Sequence, residues 1–206
     1  MSTSNAIDDL GYLRSLAEEG ATAPNVNGRY YITFGCLGAI ALTAHWSIAS
    51  GVIGLPLSTL AFVWLGFALL SPIAIFLLSR SSHSKPGQGS ASNRVTRLFW
   101  TTASPAMFSI WIALSVAAYF RNVSPIVFDM LPIIAFFSYG VVYMIEAGME
   151  KASWKRFAGL GGIAGAVTMA ALIGTAEAYL GGAIATLLIG VIPGSIMMKR
   201  EPKNVV

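Results

Sequence analysis

The stretch LSTLAFVWLGFALLSPIAIFLLS, from Leu57 to Ser79, decides the class of fold. It contains no Asp, Glu, Lys or Arg, and at a rise of about 1.5 Å per residue it is long enough to cross a hydrocarbon layer of about 30 Å. The whole chain shares this bias, since 55% of its residues are hydrophobic and 11% are charged. In soluble domains, about 45–50% of residues are apolar and about 25% are charged. The chain is therefore predicted to be an all-α polytopic membrane protein.

Five further stretches are equally poor in charge. With the first, they predict six transmembrane helices at about 30–51, 57–79, 98–120, 125–146, 157–175 and 179–198. The connections after the first, third and fifth helices are short, which favours three hairpins within a domain covering residues 29–198. A segment of residues 1–28 precedes this domain, and a tail of residues 199–206 follows it.

Every Lys and Arg except Arg121 lies on the same predicted side of the membrane. They are Arg14, Arg29, Arg80, Lys85, Arg94, Arg97, Lys151, Lys155, Arg156, Lys199, Arg200 and Lys203. Because short loops rich in Lys and Arg stay in the cytoplasm, both termini are predicted to be cytoplasmic, in a bacterial inner membrane. The formal charge of +4 then needs no nucleic-acid partner, since topology accounts for it.

Residues 1–28 are predicted to contain a short amphipathic helix. Its apolar face is formed by residues at helical spacing, namely Ile7, Leu10, Leu13 and Leu16. Its polar face is mostly acidic, which disfavours binding to an anionic lipid surface and favours a protein surface. The helix is expected either to dock on the protein's own basic loops or to bind a separate cytoplasmic partner.

Three ionisable residues lie in the predicted spans: His45, Asp129 and Glu146. Such residues are candidates for function because their burial in a membrane is costly. Tyr139 and Tyr143 share a helical stripe with Glu146 and Glu150. The stripe predicts either a polar entry path from the cytoplasm or an interfacial girdle in which the two glutamates offset Lys151, Lys155 and Arg156.

His45 is expected to be a helix-contact or interfacial histidine, with a metal, haem or proton-linked role as the alternative. His83, the other histidine, falls in a loop on the opposite side, so one chain does not supply two ligands for a buried haem. No metal or cofactor site is therefore expected.

Two further features concern the arrangement of the helices. Arg121 and Glu177 both fall at outer turns, where they are predicted to form an ion pair between hairpins. Small residues recur four apart in the last two spans, as Gly161, Gly165, Gly190 and Gly194. That spacing allows close helix packing, either within one chain or in a homo-oligomer.

Prolines at positions 72, 105, 132 and 193 are predicted to interrupt four of the helices. Ordinary kinks are the favoured interpretation of these prolines. Pro132 lies three residues after Asp129, so this turn is the best single candidate for the alternative, a polar site inside the membrane.

The two ends of the chain resemble a family of small uncharacterised bacterial inner-membrane proteins. The residues that carry the resemblance are LRSLAEEGATAPNVNGRY, from Leu13 to Tyr30, and PGSIMMKREP near the C-terminus. The resemblance implies a six-helix inner-membrane protein and brings no activity, substrate or catalytic residue with it.

The leading functional hypothesis is a non-enzymatic membrane protein that acts through protein contacts. It would tether or restrain a cytoplasmic regulator, or serve as a small subunit of a membrane complex. The alternative is a small-solute or proton-linked transporter or channel with Asp129, Glu146 and His45 along one path. An enzyme is disfavoured because the few His, Cys and acidic residues are scattered over distant helices.

Overall fold

A computed structural model of the chain describes residues 25–82 and 88–201. Six helices make up this part of the chain, and no strand occurs among the described residues, which confirms the all-α prediction. They are α1 (Gly28–Ala49), α2 (Leu60–Ser82), α3 (Ala91–Arg121), α4 (Met130–Met149), α5 (Ser153–Ala171) and a last rod made of α6 (Ala176–Thr186), a π-helical segment (Leu187–Val191) and α7 (Ile192–Lys199). The predicted amphipathic helix around Ile7, Leu10, Leu13 and Leu16 lies outside the described residues.

Five helices are long and apolar enough to cross a membrane, which indicates a multi-pass membrane protein. They cover Gly28–Ala49, Leu57–Arg80, Ala91–Arg121, Pro125–Met149 and Ala176–Lys199. The remaining predicted span, residues 157–175, overlaps α5, which is not among the five. Glycine and alanine make up much of α5, and such small residues contribute little apolar surface.

Two helices begin earlier than the sequence predicts. Helix α3 begins at Ala91, where the side chain of Ser90 caps it by accepting a hydrogen bond of 3.3 Å from the amide of Asn93. Helix α5 begins at Ser153. The predicted boundaries at 98 and 157 followed the apolar runs, whereas the first turns of both helices are polar and are stabilised by contacts with other helices.

Pro132 does not interrupt a helix, which corrects the expectation of a break after Asp129. It is the third residue of α4, and a short 3₁₀ turn, Pro125–Asp129, precedes that helix. The first amides of a helix have no partner within it, so proline costs little there. Pro72 and Pro105 do lie inside helices α2 and α3, and Pro193 is at the start of α7.

The buried core lies between four of the helices: α1, α4, α5 and the rod of α6 and α7. One cluster of buried residues contains Leu42, Phe136, Ala166, Met169, Ala178, Tyr179, Ala183 and Ile189, and a second contains Tyr31, Val142, Tyr143 and Met197. Helix α2 packs on α1, and α3 packs on α4. The apolar stretches of α2 and α3 bury none of their residues, so these two helices present their apolar surface outward.

Glycines allow the closest helix contacts in the core. A Cβ atom placed on Gly190 would lie 2.9 Å from the Cα of Gly35, and one on Gly194 would lie 2.7 Å from the carbonyl oxygen of Gly28. Similarly, a Cβ on Gly162 would lie 2.8 Å from the Cα of Gly140. Helix α1 therefore crosses the last rod, and α4 crosses α5, at positions where any side chain would separate the backbones.

The four glycines singled out from the sequence all face neighbours within this one chain. Gly190 and Gly194 contact α1, Gly165 contacts the ring of Phe136, and Gly161 lies against Ile189. Their partners include Gly28 and Gly35 on α1 and Gly140 on α4. None of these three glycines belongs to a pair of glycines four residues apart, the pattern that marked the last two spans.

Candidate functional site

The 3₁₀ turn Pro125–Asp129 and α4 form one continuous helical segment. A polar cluster lies at each end of this segment. The charged cluster contains Asn25, Tyr31, Ser92, Thr96, Glu146, Glu150 and Lys155. The aspartate cluster contains His45, Trp64, Asp129 and Tyr179. Asp129 and Glu146 are separated by roughly 25 Å, from a rise of about 1.5 Å per residue. The two clusters are therefore separate sites.

Lys155 is the centre of the charged cluster. Its Nζ atom lies 2.7 Å from Glu146 Oε2 and 2.7 Å from Glu150 Oε2. Lys155 and Glu146 are each only 1% exposed. Charges buried to this degree persist in folded proteins when they are paired and hydrogen-bonded, because desolvation of an isolated charge is costly.

Neutral donors complete the cluster and come from other helices. Tyr31 of α1 and Thr96 of α3 donate hydrogen bonds of 2.9 and 2.7 Å to Glu146 Oε1. Ser92 of α3 donates one of 2.6 Å to Glu150 Oε1, and the amide of Asn25 donates another of 3.4 Å. Both oxygens of each glutamate thus accept hydrogen bonds from protein groups.

A tight turn brings the two glutamates of α4 to the lysine of α5. Lys151 adopts a left-handed backbone conformation, with a φ of 51°, directly after the end of α4. A left-handed residue is a common way to end a helix. It reverses the chain within a few residues and places the first turn of α5 beside the last turn of α4.

Asn93 attaches the chain entering α1 to the start of α3. Its side-chain oxygen accepts hydrogen bonds of 3.1 Å from the backbone amide of Val26 and of 3.1 Å from the side chain of Asn27. Val26 and Asn93 are both buried. The point at which residues 1–24 join the helical bundle is therefore fixed against α3 and the charged cluster.

A layer of aromatic rings lies next to the charged cluster. Tyr31 stacks on Tyr143 with ring centroids 4.9 Å apart, and Tyr139 lies 5.8 Å from Tyr31 and 4.8 Å from Trp100. Tyr139 packs against both buried hydrophobic clusters. The predicted stripe of Tyr139, Tyr143 and Glu146 therefore faces the interior of the bundle.

Tyr143 also satisfies a backbone group of the last rod. Its hydroxyl donates a hydrogen bond of 2.7 Å to the carbonyl oxygen of Ile189, in the π-helical segment. In an α-helix this carbonyl would accept from the amide of the residue four positions later, which here is Pro193 and has no N–H. The tyrosine therefore supplies the donor that the proline lacks.

Asp129 is the acceptor in the aspartate cluster. It accepts hydrogen bonds from the hydroxyl of Tyr179 and, at 2.9 Å, from the backbone amide of Gly174. Asp129 is 9% exposed. The carboxylate therefore connects the start of α4 to the turn between α5 and α6.

His45 contacts this cluster through its ring. It stacks on Tyr179 with ring centroids 3.4 Å apart, and its Nδ1 accepts a hydrogen bond of 3.0 Å from the indole of Trp64. His45, on α1, therefore contacts side chains of both α2 and α6. His45 and Asp129 share Tyr179 as a neighbour, whereas Glu146 is in the other cluster.

Arg121 and Glu177 are both exposed, and within the described residues no ion pair joins them. The ion pairs found there join Arg29 to Glu201 and Lys155 to each of Glu146 and Glu150. Glu177 lies in the first turn of α6, where a carboxylate interacts favourably with the helix dipole. The structure therefore does not bring these two residues together.

Several members of the clusters were not candidates from the sequence: Asn25, Tyr31, Trp64, Ser92, Thr96 and Tyr179. By hydropathy alone, Lys155 is assigned to a loop. In the structure α5 already begins at Ser153, so Lys155 lies in its first turn, beside Glu146. Ser92 and Thr96 are four residues apart, a spacing that places both on one face of a helix. That spacing is the signal from which the extension of α3 was predictable.

Within residues 25–82 and 88–201, no group of three or more His, Cys, Asp or Glu residues is arranged to hold a metal ion. Comparison of the chain with protein-family models, curated proteins and solved structures found no match.

Proposed function

We propose that this chain is a non-enzymatic integral membrane protein that acts through protein contacts at the end of the bundle holding the charged cluster. In this proposal it tethers or restrains a cytoplasmic regulator, or it joins a larger membrane complex as a small subunit. The observation that carries the proposal is the attachment of Asn25 and Val26 to the charged cluster and to Asn93.

This attachment supports a docking function because it fixes Asn25, the residue that follows residues 1–24 in the sequence, at the end of the bundle that holds the charged cluster. In this proposal the apolar residues Ile7, Leu10, Leu13 and Leu16 form the partner-binding face, and the fixed position of Asn25 keeps that face tethered to this end of the bundle. Pre-organisation of this kind lowers the entropy lost when a partner binds. The buried ion pairs would then serve to hold the surface in one conformation, a use of buried charge that is known in some proteins.

Solute transport is less well supported by the same contacts. Each oxygen of Glu146, Glu150 and Asp129 already accepts at least one hydrogen bond from the protein. Binding of an ion or solute at any of these carboxylates would have to displace a protein donor. A role in holding the helices together requires no such rearrangement.

The same proposal places the protein in a bacterial inner membrane, with both termini in the cytoplasm. The positions of the cations support this orientation: Arg29 pairs with Glu201 and Lys155 pairs with Glu146 at one end of the bundle. Exposed Arg121 is the last residue of α3, at the opposite end. Positive charge favours the cytoplasmic side. Helix α5 serves as the sixth span, since its glycines pack against α4.

Orientation is tested with single cysteines in a Cys36→Ser background, which removes the one native cysteine. Arg121→Cys and Lys151→Cys place a thiol at exposed positions on opposite ends. A membrane-impermeant maleimide added to spheroplasts should label position 121, and it should label position 151 only after permeabilisation. The reverse pattern would contradict the proposed orientation.

The docking proposal is tested by crosslinking in native membranes, followed by purification and identification of captured proteins. Full-length protein should capture a specific cytoplasmic protein or membrane subunit, and a version without residues 1–20 should lose it. A length-matched control, with serine in place of Ile7, Leu10, Leu13 and Leu16, separates loss of the apolar face from loss of length. Unchanged capture by both variants would refute the role of this segment.

A proton-linked transporter is the second candidate, and the stacking of His45 on Tyr179 beside Asp129 favours it. His45 contacts the ring of Tyr179, and Asp129 accepts a hydrogen bond from its hydroxyl. Histidine and carboxylate side chains are typical components of the proton relays of pumps and transporters. In this case Asp129→Asn should abolish proton-coupled flux in liposomes, whereas Glu177→Gln, at an exposed position, should leave it unchanged. Equal flux with empty liposomes would eliminate this candidate.

A further inference from the structure

Two cavities near the charged cluster meet at Trp154. The first has a volume of about 220 Å³ and mixes polar with apolar lining residues, namely Asn25, Glu150, Lys155 and Arg200 with Ala152, Trp154 and Met197. The second has a volume of about 360 Å³ and lies in an apolar groove between α5 and the last rod, with Gly161, Ile192 and Ile196 in its wall. Trp154 lines both. A cavity with several polar lining residues thus shares a wall residue with a largely apolar one.

The apolar groove is open along the outer surface of the helices. Phe157 is 75% exposed and Ile192 is 51% exposed, although both line the groove. The absence of a side chain on Gly161 deepens the groove, since Ile189 is its near neighbour. Its volume falls in the range of about 300–1,000 Å³ that is typical of small-molecule sites.

Positive charge is concentrated at the end of the groove that adjoins the first cavity. Arg200 follows Ile196 by four residues and Lys199 follows Ile192 by seven, so both cations continue the stripe of residues that lines the groove. The guanidinium carbon of Arg200 lies 5.5 Å from the centre of the Trp154 ring. Glu150 also lines the first cavity, but its carboxylate is already bound by Lys155 and Ser92.

We propose that these joined cavities bind an anionic phospholipid from the surrounding leaflet. Its phosphate would lie beside Arg200 and Lys199, and part of one acyl chain would occupy the groove over Gly161. Charge complementarity and the junction of a cavity that has several polar lining residues with a largely apolar one are the features that select an amphiphile with a negative headgroup. This inference is independent of any protein partner.

Native mass spectrometry of the detergent-purified full chain tests the site, with phosphatidylglycerol and phosphatidylcholine of identical acyl chains as probes. The chain should retain phosphatidylglycerol preferentially. The double substitution Lys199→Gln with Arg200→Gln should weaken phosphatidylglycerol binding roughly 30-fold. Each cation near an anionic lipid surface contributes roughly a factor of five to the affinity, and the two factors multiply. The matched control, Lys151→Gln with Arg156→Gln, removes two exposed cations from the same end and should leave binding within about twofold.

The groove is tested separately with Ile192→Trp, which should reduce retention of both lipids because it fills the apolar compartment. Leu69→Trp, at another outward-facing position on α2, should have no such effect. Equal binding of the two lipids to the unaltered chain would overturn the proposal. Equal loss in the double variant and its control would overturn it as well, and so would a dimer that excludes lipid from the groove.

Discussion

The ammonium group of Lys155 binds Glu146 and Glu150 at once, at 2.7 Å from a carboxylate oxygen of each. Lys155 lies in the first turn of α5. It compensates the charge of Glu146, in the last turn of α4, and of Glu150, the residue that follows α4. Tyr31 and Thr96 bring α1 and α3 to the same carboxylate. Four helices are consequently joined by one buried hydrogen-bonded network.

Lys155→Met should be strongly destabilising. The substitution leaves Glu146 buried without its cation and beside a second carboxylate, and loss of one partner of a buried ion pair costs about 3–5 kcal/mol. Unfolding in mixed micelles measures the effect. Lys151→Met removes an exposed cation from the adjacent turn and should change stability by less than about 0.5 kcal/mol.

The combination of Lys155→Met with Glu146→Gln should recover part of that loss, because the buried carboxylate is then neutral. The two residues are in contact, so their effects should not be additive. Strictly additive losses in the double variant would mean that the ion pair does not account for the cost of the single substitution.

Tyr179→Phe should destabilise the opposite end of the bundle by about 1–3 kcal/mol, since it leaves Asp129 with one of its donors missing. Tyr119→Phe is a matched control because Tyr119 is 79% exposed, and it should be neutral. Asp129→Asn combined with Tyr179→Phe tests whether the cost arises at this contact. If Tyr179→Phe is neutral, the hydrogen bond to Asp129 does not hold α4 to α6.

Gly162→Ala should cost about 1–3 kcal/mol, because the added methyl would overlap the backbone of Gly140 and push α4 from α5. Gly66→Ala provides the control: no atom lies within 4 Å of a Cβ placed there. Alanine has the higher helix propensity, so this control should be neutral or slightly stabilising. Equal effects of the two substitutions would contradict the close crossing of α4 and α5.

Tyr143→Phe should destabilise by about 1–3 kcal/mol, since the carbonyl of Ile189 loses its donor in a buried position. In a Pro193→Ala background the cost should be smaller, because the new amide at position 193 can donate to the same carbonyl. A double-mutant cycle measures the difference. No difference between the two backgrounds would mean that Tyr143 does not substitute for the missing N–H of Pro193.

Composition was enough to predict the helical class and most of the membrane-crossing segments, because a long apolar run such as Leu57–Ser79 has few other stable arrangements. Polar residues at helix ends were harder to assign. Lys155 and Ser92 lie outside the apolar runs, so a boundary drawn by hydropathy excludes them from the helices that position them. The sequence therefore predicted charge compensation between Glu146 and nearby cations, but not the burial of Glu146 with Lys155 inside the bundle.

Contacts between helices that are distant in the sequence were not predictable. Gly190 was recognised as a packing residue, but its partner Gly35 is far earlier in the chain, and no local pattern connects them. Similarly, His45, Asp129 and Tyr179 become neighbours only when α1, α4 and α6 pack together. Periodicity identifies the face of a helix, whereas the identity of the facing helix depends on the tertiary arrangement.

Site-specific photocrosslinking tests the central claim, that the end with the charged cluster is the surface for protein contact. A photoreactive residue replaces exposed Lys151 at that end, or exposed Arg121 at the other, in the full-length chain in living cells. The proposed function predicts capture of one specific protein from position 151 and not from position 121. Capture of that protein from position 121 alone, or of no protein from either position, would contradict it.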